Sequence, residues 1–169
     1  MTQAKPSKTA LKRQHLELQE LGERMIGMDA RVLDELPLDD RLRDAVRAAS
    51  SMRGRGALRR QKQLIGKLMR NADAGAIRAA LDARAADDRV AKRIFANAER
   101  WRDRIAGGDA EAIAEFAAAS GGDSSELADL VSELHSSRSD KQTKTLRRRL
   151  FRLIHDALVM RARDDRIPR

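Results

Sequence analysis

The sequence predicts an all-α protein, and three observations carry that prediction. β-Branched and aromatic residues are sparse, and no stretch alternates strictly between apolar and polar, so a strand signal is missing. Only three prolines occur, Pro6, Pro37 and Pro168, two of them near the ends. Apolar residues recur instead at helical spacing, and the breaks fall at Gly, Asp and Pro. At 169 residues and 41% hydrophobic composition, much of it Ala, the chain is long enough to bury a real core or two thin ones.

The first helix is expected to start near Ser7 or Thr9 as N-cap, with Leu11, Leu18, Leu21, Met25 and Met28 along its apolar seam. Leu33, Leu36 and Leu38 flank Pro37 at a turn. Asp39 or Asp40 then suits the N-cap of a long helix that turns Leu42 and Val46 inward and runs to about Asn71. Asp73 is expected to cap a shorter helix holding Ile77, Leu81 and Ala85. Asp87 or Asp88 would open the next, with Val90, Ile94, Ala98, Trp101 and Ile105 inward. Two similar stops follow, Gly107-Gly108-Asp109 and Gly121-Gly122-Asp123, where glycine can end a helix in the left-handed conformation and Asp can cap its successor. Asp123 and Glu126 have the spacing of a capping box. Leu127, Leu130, Val131 and Leu134 continue that helix. A polar junction, residues 135–144, leads to a last helix with Leu146, Leu150, Leu153, Ile154, Ala157 and Leu158 on its apolar face. Composition changes near residue 72, and the paired-glycine stops are confined to the second half. Two small bundles are therefore expected: a module over 1–72, a second over 73–160, and a tail over 161–169.

Much chemistry is excluded early. Without cysteine there is no disulfide, thiolate-bound zinc, iron–sulfur cluster or thiol nucleophile. No uninterrupted apolar run exceeds four residues, which predicts no membrane span, and MTQAKPSKTA lacks the apolar core of a signal peptide. A cytoplasmic chain is the expectation. His15, His135 and His155 fall in different segments without metal-ligand partners at helical spacing. Asp39-Asp40, Asp87-Asp88 and Asp164-Asp165 read as caps and solvated charge, since adjacent helical residues point in different directions. Leu64-Ile65-Gly66-Lys67 is helix interior rather than a phosphate loop, and Trp101 is most simply core. With no nucleophile–base pair in view, the reading is that of a non-enzyme without metal or cofactor.

The informative feature is charge. The chain carries 35 Lys and Arg against 26 Asp and Glu, a formal +9. Residues 45–72 hold eight basic and no acidic side chains: Arg47, Arg53, Arg55, Arg59, Arg60, Lys62, Lys67 and Arg70. Residues 141–155 hold six more, Lys141, Lys144, Arg147, Arg148, Arg149 and Arg152, again with no acid. The first 16 residues add Lys5, Lys8, Lys12 and Arg13. Outside these windows 17 basic residues face 26 acidic ones, so a body of net −9 carries three purely basic stretches. Solvated helix faces usually intersperse both signs; like charges in such runs repel until a polyanion relieves them.

On a helical wheel, residues 53–70 separate cleanly. Ala57, Leu58, Leu64, Ile65, Leu68 and Met69 occupy roughly 20–160°, whereas Arg55, Arg59, Arg60, Lys62, Lys67 and Arg70 occupy roughly 180–340°, with Arg53 at the edge. In the last helix Lys141, Lys144, Arg148 and Arg152 project opposite the apolar arc, and Arg147 and Arg149 flank it, where their stems can snorkel. A membrane-surface helix would want Trp or Phe anchors beside the basic arc, and the 53–70 face has none. The charge is too uniform for a base-reading code, and four aromatics argue against a single-strand stacking platform. Recognition of backbone and shape, as in folded RNA, remains.

The segments SKTALKRQHLELQELGERMIGM, LDELPLDDRLRDAV and RRQKQLIGKLMR (residues 59–70) follow one another in an order and spacing that resembles the DarP family of dual-action ribosomal maturation proteins. AIRAALD, ERWRDRIAGGDAEAIAEF and RRLFRLIHDAL are similar in layout, so the resemblance covers residues 7–158. It implies an all-helical, dumbbell-like protein, not an enzyme, that binds immature large ribosomal subunits and promotes late maturation of the peptidyl-transferase region. Many members carry a longer, acidic N-terminal extension without counterpart here, and residues 159–169 have none in the family. The positions matching the family's basic motif are Arg59, Arg60, Gln61, Gln63, Lys67 and Arg70, with Lys8, Lys12 and Arg13 near the N-terminus. Joined to the charge pattern, the expected 23S rRNA contacts are Lys8, Lys12, Arg13, Arg53, Arg55, Arg59, Arg60, Lys62, Lys67, Arg70, Lys141, Lys144, Arg148 and Arg152. The expected partner is the large-subunit precursor, with other assembly factors, and the expected state is monomeric. An architectural DNA binder and a helical protein–protein adaptor are the alternatives.

Overall fold

A computed structural model describes residues 7–109, 111–121 and 124–165. Among them are eight helices and no strand: α1 (Lys8–Glu23), α2 (Ala30–Glu35), α3 (Asp40–Ser51), α4 (Arg55–Leu68), α5 (Ala74–Ala106), α6 (Ala112–Ser120), α7 (Ser125–Ser136) and α8 (Asp140–Asp164). The protein is all-α. No helix among the described residues is long and apolar enough to cross a membrane. The pairing of Asp123 with Glu126, and Lys5, lie outside the described residues.

Two compact units divide the chain, Met1–Ala86 and Asp87–Arg169. In the first, Leu21, Met25, Leu33, Leu36, Leu38, Leu42, Val46, Ile65, Met69, Ile77 and Leu81 share one core. In the second, Ala98, Ile105, Phe116, Leu127, Leu130, Leu134, Leu146, Leu150 and Ile154 form another.

Capping follows the sequence at α1, α3 and α5, whereas α4, α6, α7 and α8 carry no side-chain cap bond, and the N-cap of α6 is Glu111 rather than the expected Asp109. The Ser7 hydroxyl accepts from the Ala10 N–H at 3.2 Å, Asp39 from Leu42 at 2.8 Å and Asp73 from Ala76 at 2.9 Å. Gly108 and Gly121 take φ of +85° and +73°, the left-handed stops expected of them. After Gly108, Arg104 donates to Asp109 at 2.6 and 2.9 Å and to Glu115 at 2.9 Å. The bonds from Arg104 to Asp109, opposed by a smaller effect of desolvation and aided by the Glu111 N–H, the Arg104 charge and the Ala112 N–H, hold the Asp109 carboxyl below its ordinary value.

Four boundaries differ from expectation. The long helix from Asp40 to Asn71 is two helices, because Met52, Arg53 and Gly54 leave helical geometry, with Met52 and Gly54 both extended. Ser50 and Ser51 turn their hydroxyls back onto the Val46 and Ala48 carbonyls, and glycines at 54 and 56 weaken continuation. The break lets α4 fold back on α3 and bury Ile65 and Met69 in the same core as Leu42 and Val46, which one straight helix could not do. Conversely, no helix starts at Asp87 or Asp88. α5 runs unbroken through both, since 11 of its 33 residues are Ala and no Gly or Pro lies between Gly75 and Gly107. The short α2, capped by Asp29, occupies what reads as a plain turn. The junction before the last helix shrinks to residues 137–139.

Candidate nucleic-acid interface

α1 and α4 pack against each other through glycine. A Cβ on Gly22 would sit 2.5 Å from Ile65 Cγ2 and 3.2 Å from Met69 Cγ, and one on Gly66 would sit 3.3 Å from Gln19 Cβ. The pairs 19 with 66 and 23 with 62 make the two helices antiparallel. That register carries the N-terminal turns of α1 toward the Lys67–Arg70 end of α4, so the first two basic windows adjoin in one unit.

Close packing on one side of α4 leaves its other side in solvent. Arg55, Arg59, Arg60, Lys67 and Arg70 are exposed and have no ion-pair partner among the described residues. Arg53 is likewise exposed and unpaired but lies in the α3–α4 connection, so its place on the helical wheel is corrected. Lys8 and Lys12 are exposed one turn apart on α1, and Arg13 sits 3.6 Å from Glu17. No charged or polar residue of the described chain is fully buried, so every cation reaches the surface.

Some charges that look free in the sequence are not. Lys62 Nζ lies 2.6 Å from Glu23 Oε2, with the side chains 35% and 29% exposed. Burial pushes the Glu23 carboxyl up, but hydrogen bonds from Gln19 and Lys62 and the Lys62 charge together bring it below its ordinary 4.5. Arg47 pairs with Asp34, on α2. Gln61, part of the basic motif, donates to the Ala45 carbonyl of α3 at 2.8 Å, tying α4 to its neighbour. Leu64, expected inward, is 43% exposed, and Leu11 is exposed as well.

In the second unit Lys141, Lys144, Arg148 and Arg152 share one exposed face of α8, at steps of three, four and four residues, without ion-pair partners among the described residues. Arg149 reaches Glu126 at 3.4 Å. Beside this face stand Phe95 and Arg102 of α5 with Arg147 and Phe151 of α8, lining one groove. The sequence reading missed the two phenylalanines. The signal was available: Phe95 lies a full residue step off the Ile94–Ala98 stripe and so had no place in the core. Trp101 packs edge-on against Phe116, ring centroids 5.4 Å apart, as expected. Among the described residues no cluster of three or more His, Asp or Glu is arranged to hold a metal.

Helices with one packed face and one exposed, cationic face define the class: an all-helical protein with a basic surface in each of its two units. The family model for the dual-action ribosomal maturation protein DarP matches residues 4–155, and the chain belongs to that family. The chain is 46% identical over 103 residues to the protein of that name from Nitrosospira multiformis, a stretch covering 61% of this chain and 57% of that relative. It is 40% identical over 114 residues to its namesake from Nitrosomonas eutropha, covering 68% of this chain and 64% of the relative. The matches thus span less than two thirds of these relatives' length.

Proposed function

We propose that this chain is a ribosome maturation factor that binds immature large subunits through its basic faces on 23S rRNA. It acts without catalysis, holding rRNA near the peptidyl-transferase region in a native-like arrangement until later contacts form. Family membership supports the ribosomal role. The observation that carries the mode of binding is the run of exposed, unpaired cations on and beside α4: Arg53, Arg55, Arg59, Arg60, Lys67 and Arg70. Guanidinium forks take phosphate oxygens bidentately, which suits grip on a folded backbone rather than reading of bases. Lys8, Lys12 and Arg13 extend that surface, and Lys141, Lys144, Arg148 and Arg152 form the second. Lys62 is held by Glu23 and is left out of the contact set.

A sucrose gradient of a low-salt lysate tests this reading. The protein is expected in fractions holding large-subunit precursors, and to leave them after ribonuclease treatment. A protein that stays at the top of the gradient contradicts the proposal. Partner association that survives ribonuclease would point to the adaptor reading, and preference for duplex DNA over rRNA fragments to an architectural one.

A further inference from the structure

The groove between α5 and α8 has a volume of about 870 Å³, within the roughly 300–1,000 Å³ of ligand-binding clefts. Its lining combines five cations with a single carboxylate, Asp140: Lys144, Arg147, Arg148 and Arg152 have no ion-pair partner among the described residues, whereas Arg102 is held by Asp103 at 2.8 Å and Glu99 at 3.9 Å. Two phenylalanines stand among these charges. The rings of Phe95 and Phe151 meet edge to face, centroids 5.1 Å apart at 60°. Phe151 is further engaged, with the Arg102 guanidinium 5.8 Å from its centroid and His155 stacked on it at 5.7 Å. Phe95 has no second ring or cation partner among the described residues and is 50% exposed. An open aromatic face beside unpaired cations is the combination by which proteins hold unpaired nucleotides: the ring stacks on a base while the cations take the flanking phosphates. The excess of positive charge selects an anionic occupant over an apolar one.

We propose that this groove receives an unpaired nucleotide of RNA, its base stacked on Phe95 and its flanking phosphates held by Lys144, Arg148 and Arg152. This rests on the RNA-binding reading above and adds to it a preference for unpaired over paired RNA, because a base inside a duplex has both faces covered and cannot reach Phe95.

Equilibrium binding of the full chain to two probes tests the idea: an RNA hairpin with an unpaired loop and a blunt RNA duplex of equal length. Phe95→Ala and Phe95→Leu are expected to weaken hairpin binding by about 5- to 100-fold and leave duplex binding unchanged, while Phe95→Tyr retains both. Phe95→Leu keeps an apolar contact to Phe151, and unchanged circular dichroism separates lost stacking from lost folding. Unchanged hairpin binding in the Ala and Leu variants overturns the proposal, as does a parallel loss on both probes. Either leaves the broader RNA reading standing as long as the wild type binds RNA. Wild-type protein that binds neither probe, or an acidic peptide that displaces the hairpin from the groove more readily than RNA does, overturns both.

Discussion

Lys62 and Gly22 show how much a single side chain, or its absence, decides here. On a wheel Lys62 is one more member of a cationic ridge; in the folded chain Glu23, 39 residues away, reaches it. Exposed and half-exposed pairs of this kind are worth about 0.2–1 kcal/mol, so Glu23→Gln should cost up to about 1 kcal/mol at neutral pH. Because the Glu23 carboxyl titrates below its ordinary value in the folded protein, its contribution is in place above pH 4.5. It is lost as pH falls through the lowered value. Urea melts of wild type and Glu23→Gln across pH should therefore differ most near neutrality and converge in acid; a constant offset would contradict the pairing. Gly22→Ala gives the opposite lesson. Gly22 is the last residue but one of α1, where Ala is favoured over Gly by at most about 1 kcal/mol, yet its Cβ would press on the fully buried Ile65 and Met69. Overpacking costs about 1–3 kcal/mol, so the variant is expected to be net less stable by about 1 kcal/mol, read as a lowered urea midpoint. A gain in stability would mean that α1 and α4 sit less closely.

At the scale of elements, the helices most legible in the sequence are those with a single apolar stripe, even where no side chain caps them. α7 buries Leu127, Leu130, Val131 and Leu134 as its spacing indicates, and α8 buries Leu146, Leu150 and Ile154. Breaks were harder. The α3–α4 turn at 52–54 is forced by the need to bring Ile65 onto Val46, a tertiary requirement with only a weak local signal in Gly54 and Gly56. The Asp87-Asp88 pair looks like a cap, but a cap is used only where the preceding helix has a reason to stop, and α5 has none. The α4 wheel places Arg55, Arg59, Arg60, Lys67 and Arg70 in solvent as found, but it also counts Lys62, which Glu23 holds, and Arg53, which lies outside the helix, and it is generous about the core. Leu64 lies at the rim of the buried face and Ile65 at its centre. Ile65→Ala is expected to cost about 2–5 kcal/mol, whereas Leu64→Ala should cost well under that. Comparable losses in the two denaturation curves would put α4 in a different rotation.

For the molecule as a whole, the legible property was the segregation of charge: three windows with 18 basic and no acidic residues on a body of net −9. What the sequence withheld was which of those cations are spoken for, since partners such as Asp34 for Arg47 and Glu23 for Lys62 come from distant parts of the chain. The aromatic groove on α8 was hidden for the same reason, Phe95 and Phe151 being brought together only by folding. What remains unpaired is the surface the account depends on. The most direct measurement is the affinity of the purified chain for a large-subunit precursor as a function of salt. Engagement of about six to eight phosphates predicts that log K falls with log salt at a slope of about −4 to −7. Replacing Arg59, Arg60, Lys67 and Arg70 together by Gln should leave the helical circular dichroism intact and flatten that slope by about 3–4, while Lys62→Gln barely changes it. An unchanged slope in the fourfold variant, or a slope near zero in the wild type, would contradict the claim that these unpaired cations grip the ribosomal backbone.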